Sequence, residues 1–195
     1  MAYRENFTEA LLLIAAAIEK MHERGYSRPV LVGGAAVELY TGSEIVSGDF
    51  DFVTQNQQVF EELLIEQGFT RPGGIGVLLR GLEHRELEIG VEVVSGRLFD
   101  GNVPDTEIVA MAFATGTLAV ISVEDAIADR MAQYAEHPGD NRDRLEQAKL
   151  MLRVAPEIKE DYLDRRIREE TSEEFDLNFL IGELNSNASR NFPRS

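Results

Sequence analysis

The chain has 195 residues and a formal net charge of −16 at pH 7, and 44% of its residues are hydrophobic. This length suits one domain, or one domain with a small appendage, and the composition allows a substantial core. The absence of cysteine excludes disulfides, thiol catalysis and cysteine-ligated zinc. The charge argues against broad nucleic-acid binding, because contact with RNA would then need a local basic patch.

No membrane or secretory segment is expected. The apolar run Ala10–Ile18 is too short to span a bilayer, and it is flanked by Glu9 and Glu19 rather than by basic residues. The sequence therefore predicts a cytoplasmic protein with no membrane partner.

The predicted elements alternate between helices and strands at first and are helical later. They are, in chain order, the helix Thr8–Arg24 with Thr8 as N-cap, the strand Pro29–Val32, the helix Ala35–Gly42, the strand Asp49–Val53, the helix Gln57–Gln67, the strands Gly76–Leu82 and Glu86–Gly96, the strand Thr117–Ile121, and three helices after Ser122. The polar turn Glu83–Arg85 predicts a hairpin. The stretch 97–116 is expected to be irregular.

This order predicts an α+β fold, with a small mixed β-sheet flanked by helices and then a helical C-terminal part. Residues 1–121 are predicted to form the α/β core with its N-terminal helix. Residues 122–186 are predicted to form the helical part, and residues 187–195 a polar, frayed tail.

Two acids alternate with aromatic residues in the segment Asp49-Phe50-Asp51-Phe52. Because side chains alternate faces along a strand, the two carboxylates share one face, with Cα atoms roughly 6–7 Å apart. Such a pair suits Mg²⁺, which prefers oxygen ligands. The simpler interpretation is a solvated strand face.

The predicted hairpin strand carries further acids. Glu88, Gly90 and Glu92 share one face of it, so either Glu88 or Glu92 would join the two aspartates if the two strands are neighbours. Glu92 is the better candidate, because apolar residues flank it on both sides. Three carboxylates could hold two metal ions, as in phosphoryl and nucleotidyl transfer.

A hydrophobic strand runs into Gly33-Gly34, and a short helix follows. The free backbone N–H groups at a helix N-terminus form an anion site that suits a triphosphate. A glycine pair at this place is also compatible with a tight turn and close helix packing.

The segments Leu31–Tyr40 and Ser47–Val53 together resemble the signature of the nucleotidyltransferase superfamily related to DNA polymerase beta, in its bacterial toxin-like, abortive-infection branch. The segments Ile121–Tyr134 and Asn141–Leu152 resemble later parts of that branch more loosely. In all, the resemblance covers about residues 28 to 152.

The resemblance implies a role for each matching residue. Asp49 and Asp51 would bind the metal ions, Mg²⁺ or Mn²⁺, that carry an NTP, and Glu92 would take the third carboxylate position and help activate the attacking hydroxyl. The implied nucleotide-binding residues are Gly33, Gly34, Ser47 and Arg130. Asp143 would match a later acidic position.

Three positions depart from the family pattern. The third carboxylate is usually aspartate, the helix residue at Arg130 is usually lysine, and many members have serine where this chain has Gly34. Arg130 also suits a surface ion pair with Asp129, and Asp143 suits a solvated helix face. The segment 49–53 further fits the start of haloacid-dehalogenase-type phosphatases, but the residues before it do not form the buried strand that those enzymes need.

Two functions follow from these patterns. The first is a metal-dependent nucleotidyltransferase that moves an NMP from an NTP to an acceptor hydroxyl on RNA such as tRNA, on a protein or on a small molecule. The second is a catalytically degenerate nucleotidyltransferase fold that serves as a nucleotide- or partner-binding module in a toxin–antitoxin pair.

Overall fold

The computed structural model describes residues 3–72, 81–101 and 106–190. The chain divides into two compact units, Met1–Ser122 and Val123–Ser195. The first unit contains the strands, and the second is helical.

The first unit is built on one six-stranded mixed sheet. Its elements are α1 (Glu5–Glu23), β1 (Val30–Val32), α2 (Gly33–Thr41), β2 (Asp49–Val53), α3 (Gln57–Glu66), β3 (Leu82–His84), β4 (Ile89–Ser95), a 3₁₀ turn (Leu98–Gly101), β5 (Ile108–Phe113) and β6 (Gly116–Ile121). The strand order is β3-β4-β2-β1-β6-β5. Strand β1 is antiparallel to β2 and parallel to β6, and β2 is parallel to β4. The predicted α+β fold is confirmed.

The core of this unit determines which face of β2 is not buried and can carry an active site. Helix α1 buries an apolar stripe, and the Phe7 ring on this stripe stacks on Phe50 at 4.9 Å between ring centroids. Phe52 packs edge-on against Phe60 of α3 at 5.0 Å. Phe50 and Phe52 are at most 1% exposed. Strand alternation therefore places Asp49 and Asp51 on the opposite face of the sheet.

Helix α1 begins one turn earlier than the sequence pattern predicts. Arg4 is the N-cap residue, in an extended conformation, and makes no side-chain capping hydrogen bond. The predicted cap, Thr8, lies inside the helix, where its hydroxyl donates to the Arg4 carbonyl at 3.1 Å. A threonine hydroxyl can also bond to the carbonyl one turn back inside a helix, so the sequence alone does not separate the two positions.

The hairpin of β3 and β4 also differs from the prediction. Glu83 and His84 belong to β3 rather than to the turn, which runs over residues 85–88. The predicted strand Gly76–Leu82 lies largely outside the described residues.

Strand β5 falls within the stretch that was predicted to be irregular. It is an edge strand with an unbroken apolar sequence, so it lacks the alternation that marks a half-buried strand.

The second unit consists of α4 (Val123–Glu136), α5 (Arg142–Val154), α6 (Glu160–Glu170) and α7 (Leu177–Arg190). Helix α7 has no counterpart among the predicted elements and includes residues 187–190 of the predicted tail. Its Phe179 packs with Phe175 and with Tyr134 of α4. Over the described ranges, no helix is long and apolar enough to cross a membrane.

Candidate active site

Strands β2 and β4 bring the candidate carboxylates to one face of the sheet. In the parallel ladder, Asp51 is the register partner of Glu92, and Asp49 is the partner of Gly90. Residues at matched positions of neighbouring strands project to the same side. Asp49 is exposed, and Asp51 and Glu92 are partly buried. The two strands are therefore neighbours, as the sequence argument required, and Glu92 lies beside Asp51.

Gly90 provides the space that the Asp49 carboxylate occupies. A Cβ atom at Gly90 would overlap Asp49 Oδ1, closer than real Cβ atoms approach an oxygen. The φ angle of Gly90 is unexceptional, so the requirement for glycine here is one of space rather than of backbone conformation. The space beside Gly90 is therefore filled by the Asp49 carboxylate.

Glu88, the other candidate for the third carboxylate, lies before β4 begins. It is in the turn, with a left-handed φ of 54°, and its side chain is exposed. It is therefore outside the β2–β4 ladder that aligns Glu92 with Asp51. It does line the same cavity as Asp49 and Glu92.

The glycine pair lies directly beside the acids. Val32 is the register partner of Asp51, and α2 starts at the next residue, Gly33. Gly33 has a left-handed φ of 65°, and a Cβ atom on it would overlap the Asp51 carboxylate. Both the backbone conformation and the lack of space therefore exclude a side chain at Gly33. The N-cap residue Val32 provides no side-chain hydrogen bond to the first turn of α2.

Ser47 connects the second glycine to the first acid. A Cβ atom on Gly34 would lie 2.7 Å from Ser47 Oγ, and the Ser47 hydroxyl donates to the Asp49 carbonyl at 2.9 Å. The structure therefore brings Gly33, Gly34 and Ser47 together with Asp49 and Asp51.

A cavity of about 790 Å³ opens on the β3–β4 side of the acids. Asp49, Gly90 and Glu92 lie along it, with Glu88 and His84 nearby. Two further charged residues that line it, Glu83 and Arg85, form an ion pair at 2.9 Å. The cavity could therefore accept a molecule that reaches two of the candidate carboxylates.

The donor set suits a hard divalent cation, because it consists of carboxylate oxygens on one face of the sheet. Within the described ranges, however, no group of three or more histidine, cysteine, aspartate or glutamate side chains is arranged to hold a metal ion. The backbone thus aligns the three carboxylates, and side-chain rotation would be needed to direct them to one ion.

The candidates in the second unit have partners of their own. The Arg130 side chain is only 5% exposed and lies 2.5 Å from the Asp129 carboxylate, and it also reaches Gln147 at 3.5 Å. Asp143 is exposed and lies 3.6 Å from Arg144. Arg130 therefore pairs with Asp129, as the simpler interpretation predicts, but its side chain is buried and not at the surface. Asp143 lies on an exposed helix face, as that interpretation predicts. The roles of both residues in nucleotide binding stay predictions.

The sequence prediction missed one residue beside the site. Glu38, on the second turn of α2, is fully buried, and its carboxylate accepts a hydrogen bond from the backbone N–H of Ser47 at 2.6 Å. An acid inside an apolar helix is a signal of burial with partners. The partners come from distant segments, which the sequence alone does not identify.

No family model matches the sequence, and no curated protein matches it. Solved structures resemble it in fold, among them the following two. An antigenic nucleotidyltransferase-like protein from Paracoccidioides brasiliensis has a TM-score of 0.59 at 13% identity, over 93% of this chain and 95% of the other. The antibiotic-resistance factor ANT(2'')-Ia has a TM-score of 0.52 at 14% identity, over 95% of this chain and 100% of the other.

The chain therefore has a nucleotidyltransferase-like fold. At these sequence identities the similarity concerns the fold. The assignment to the toxin-like, abortive-infection branch stays a prediction.

Proposed function

We propose that the protein is a metal-dependent nucleotidyltransferase, which moves a nucleoside monophosphate from an NTP to an acceptor hydroxyl. The register of β2 and β4 is the observation that carries this proposal, because it aligns Glu92 with Asp51 and keeps Asp49 on the same face. The nucleotidyltransferase-like fold and the glycine pair beside Asp51 support it.

Asp49, Asp51 and Glu92 would hold Mg²⁺ or Mn²⁺. When bound, these ions would polarise the phosphate oxygens and favour ionisation of the acceptor hydroxyl. The backbone N–H groups of Gly33 and Gly34, at the start of α2, would bind the triphosphate. Ser47 lies beside Gly34, and its hydroxyl would contact the same phosphates in exchange for its hydrogen bond to the Asp49 carbonyl. The phosphate-binding role of Arg130, which lies in the second unit, stays a prediction from the sequence.

The reaction is a displacement at the α-phosphorus. The acceptor oxygen forms a bond to this atom as the bond to the β-phosphate oxygen breaks, and pyrophosphate leaves with the electron pair. Glu92 would accept the proton of the acceptor hydroxyl, because it is the carboxylate next to the cavity and beside Asp51.

The acceptor could be a small molecule, a protein or an RNA such as tRNA. The cavity beside Asp49 and Glu92 is large enough for a small molecule. The net charge of −16 disfavours broad RNA binding. Transfer of label from each of the four alpha-labelled NTPs onto total RNA, lysate protein and small-molecule extracts would identify the acceptor class.

A thermal-shift screen of the four NTPs, with and without Mg²⁺, tests nucleotide binding. At one hundred times Kd, a ligand that binds only the folded chain adds about 2.7 kcal/mol to its free energy of unfolding. We expect this metal-dependent stabilisation from at least one NTP, and we expect Asp49→Ala to remove it. A Tm that no NTP changes at millimolar concentration would contradict the proposal.

Replacing Gly90 tests whether the space beside Asp49 matters. A methyl group in Gly90→Ala would displace the Asp49 carboxylate without straining the backbone, so we expect about tenfold to hundredfold weaker binding of Mg·NTP. Gly96→Ala, just after β4, is the matched control, because nothing lies within 4 Å of its Cβ position. Titration calorimetry at a temperature well below both Tm values would compare the two variants, and equal affinities would argue against a site at Asp49.

A second function has an observation in its favour. No metal-holding group of acids is formed in the described parts of the chain, which suits a degenerate fold that binds a nucleotide or a partner protein, such as the other member of a toxin–antitoxin pair. Nucleotide binding that does not depend on Mg²⁺ and survives Glu92→Gln would favour this function. Metal-dependent label transfer would exclude it.

A further inference from the structure

We infer that Glu38 is a positioning residue. Its buried carboxylate sets the geometry between the glycine pair, Gly33-Gly34, and the acid strand, β2. The expected effect on nucleotide binding rests on the proposed function. The arrangement of Glu38 and its partners rests on their contacts alone.

Four hydrogen bonds converge on the Glu38 carboxylate, which is fully buried. Oε1 accepts from Arg4 Nε at 2.6 Å and from the Ser43 hydroxyl at 2.8 Å. Oε2 accepts from Arg4 Nη2 at 3.0 Å and from the Ser47 N–H at 2.6 Å. One side chain therefore joins α2, the residue before α1, and the loop between α2 and β2.

Ser47 is held at each of its polar groups. Its N–H donates to Glu38, its carbonyl accepts from Arg4 Nη2, and its hydroxyl donates to the carbonyl of Asp49. The Glu38–Arg4 pair thus fixes the residue that precedes the acid strand by two positions. Displacement of Ser47 would move Asp49 with it.

The other end of this connection is the glycine pair. Glu38 lies on the helix that begins at Gly33 and Gly34, so the helix and the Ser47 loop are tied together through one carboxylate. The same N-terminal segment also reaches β4, because the Asn6 amide donates to the Leu87 carbonyl at 3.0 Å, two residues before that strand. The starts of both acid-bearing strands are therefore anchored to residues 4–6.

A carboxylate suits this position for a chemical reason. It can accept all four hydrogen bonds, including two from the guanidinium fork, whereas an amide of the same shape would turn donors towards donors. A buried ion pair is in itself weak support for stability, since apolar pairs often replace one without loss. Its position between the two halves of the candidate site therefore indicates a positioning role.

The test compares Glu38→Gln and Arg4→Gln with two controls. Leu11→Ala lowers stability from the core of α1, and Arg24→Gln removes an exposed charge at the other end of that helix. Two quantities are measured at a temperature below the Tm of wild type and of every variant. They are the Kd of each Mg·NTP by calorimetry, and amide hydrogen exchange of peptides over residues 42–51 and over β6.

We expect at least tenfold weaker Mg·NTP binding in both test variants, with faster exchange confined to residues 42–51. Leu11→Ala and Arg24→Gln should keep the wild-type Kd within twofold. If wild type binds and the test variants bind equally well, the inference is wrong and the proposed function stands. If wild type binds no NTP, the proposed function fails, and exchange alone decides: faster exchange over 42–51 supports positioning by Glu38, and unchanged exchange overturns it.

Discussion

We expect Asp51→Asn to reduce nucleotidyl transfer by about 10³-fold or more, which corresponds to a loss of about 4 kcal/mol of transition-state stabilisation. Asp51 lies between the other elements of the site. Glu92 is beside it in the ladder, Asp49 is on the same face, and Gly33 leaves the space for its carboxylate. Asparagine keeps the shape but removes the charge that would hold a divalent ion. The measurement is the initial rate of label transfer from an alpha-labelled NTP to the acceptor fraction that wild type labels.

Three neighbouring acids provide the comparisons for this result. Glu92→Gln should lose activity to a similar extent, because Glu92 is in register with Asp51. Glu88→Gln should retain most of it, since Glu88 lies in the turn before β4. Glu86→Gln, exposed in the same turn, is the control for a change of surface charge. A large loss in Glu88→Gln with none in Glu92→Gln would assign the third carboxylate to Glu88 instead.

We expect Arg166→Leu to lower the free energy of unfolding of the chain by about 3–5 kcal/mol, because it leaves a buried carboxylate without its cation. Arg166 and Asp125 are both fully buried, with Nε and Oδ1 2.7 Å apart. Burial lowers the pKa of Arg166, but hydrogen bonds to Asp125, Glu169 and Glu170 outweigh it and hold that pKa above its ordinary value. The measurement is urea unfolding followed by far-UV circular dichroism.

Two variants separate charge pairing from packing around Arg166 and Asp125. Arg165→Leu removes the next arginine of the same helix, whose pair with Glu169 is largely exposed, and should cost about 0.5 kcal/mol or less. The double variant Asp125→Leu with Arg166→Leu should recover most of the stability, because it leaves neither charge buried. A double variant as unstable as the single one would show that shape, and not charge, governs this site.

The acid strand is the element that the sequence predicted best. The bounds Asp49–Val53 are as predicted, because two aromatic residues alternate with two acids and only one face can be buried. The α+β class is confirmed for a similar reason, since short apolar strands and amphipathic helices leave distinct periods in the sequence. The candidate carboxylates could be named from that alternation, whereas their alignment needed the strand register.

The parts that the sequence did not predict depend on distant contacts. Glu38 resembles any helical glutamate until the fold brings Arg4 and Ser47 to it. Two acids in the loosely resembling segment Ile121–Tyr134 have partners within the second unit: Asp125 pairs with Arg166, and Glu124 accepts a hydrogen bond from the Lys159 N–H. Spacing along a chain does not distinguish an acid that binds a ligand from one that holds two helices together.

The place of β1 in the sheet has a consequence for biosynthesis. Leu31 pairs with Phe52 on one side, a contact between nearby segments, but its partner on the other side is Val120 of β6. While the chain is being synthesised, β1 and β2 can meet early, whereas the second edge of β1 stays open until β6 has emerged. Pairing between such distant strands is slow, and an unpaired apolar edge favours aggregation. The yield of native protein should therefore fall when the pairing of β6 with β1 is delayed.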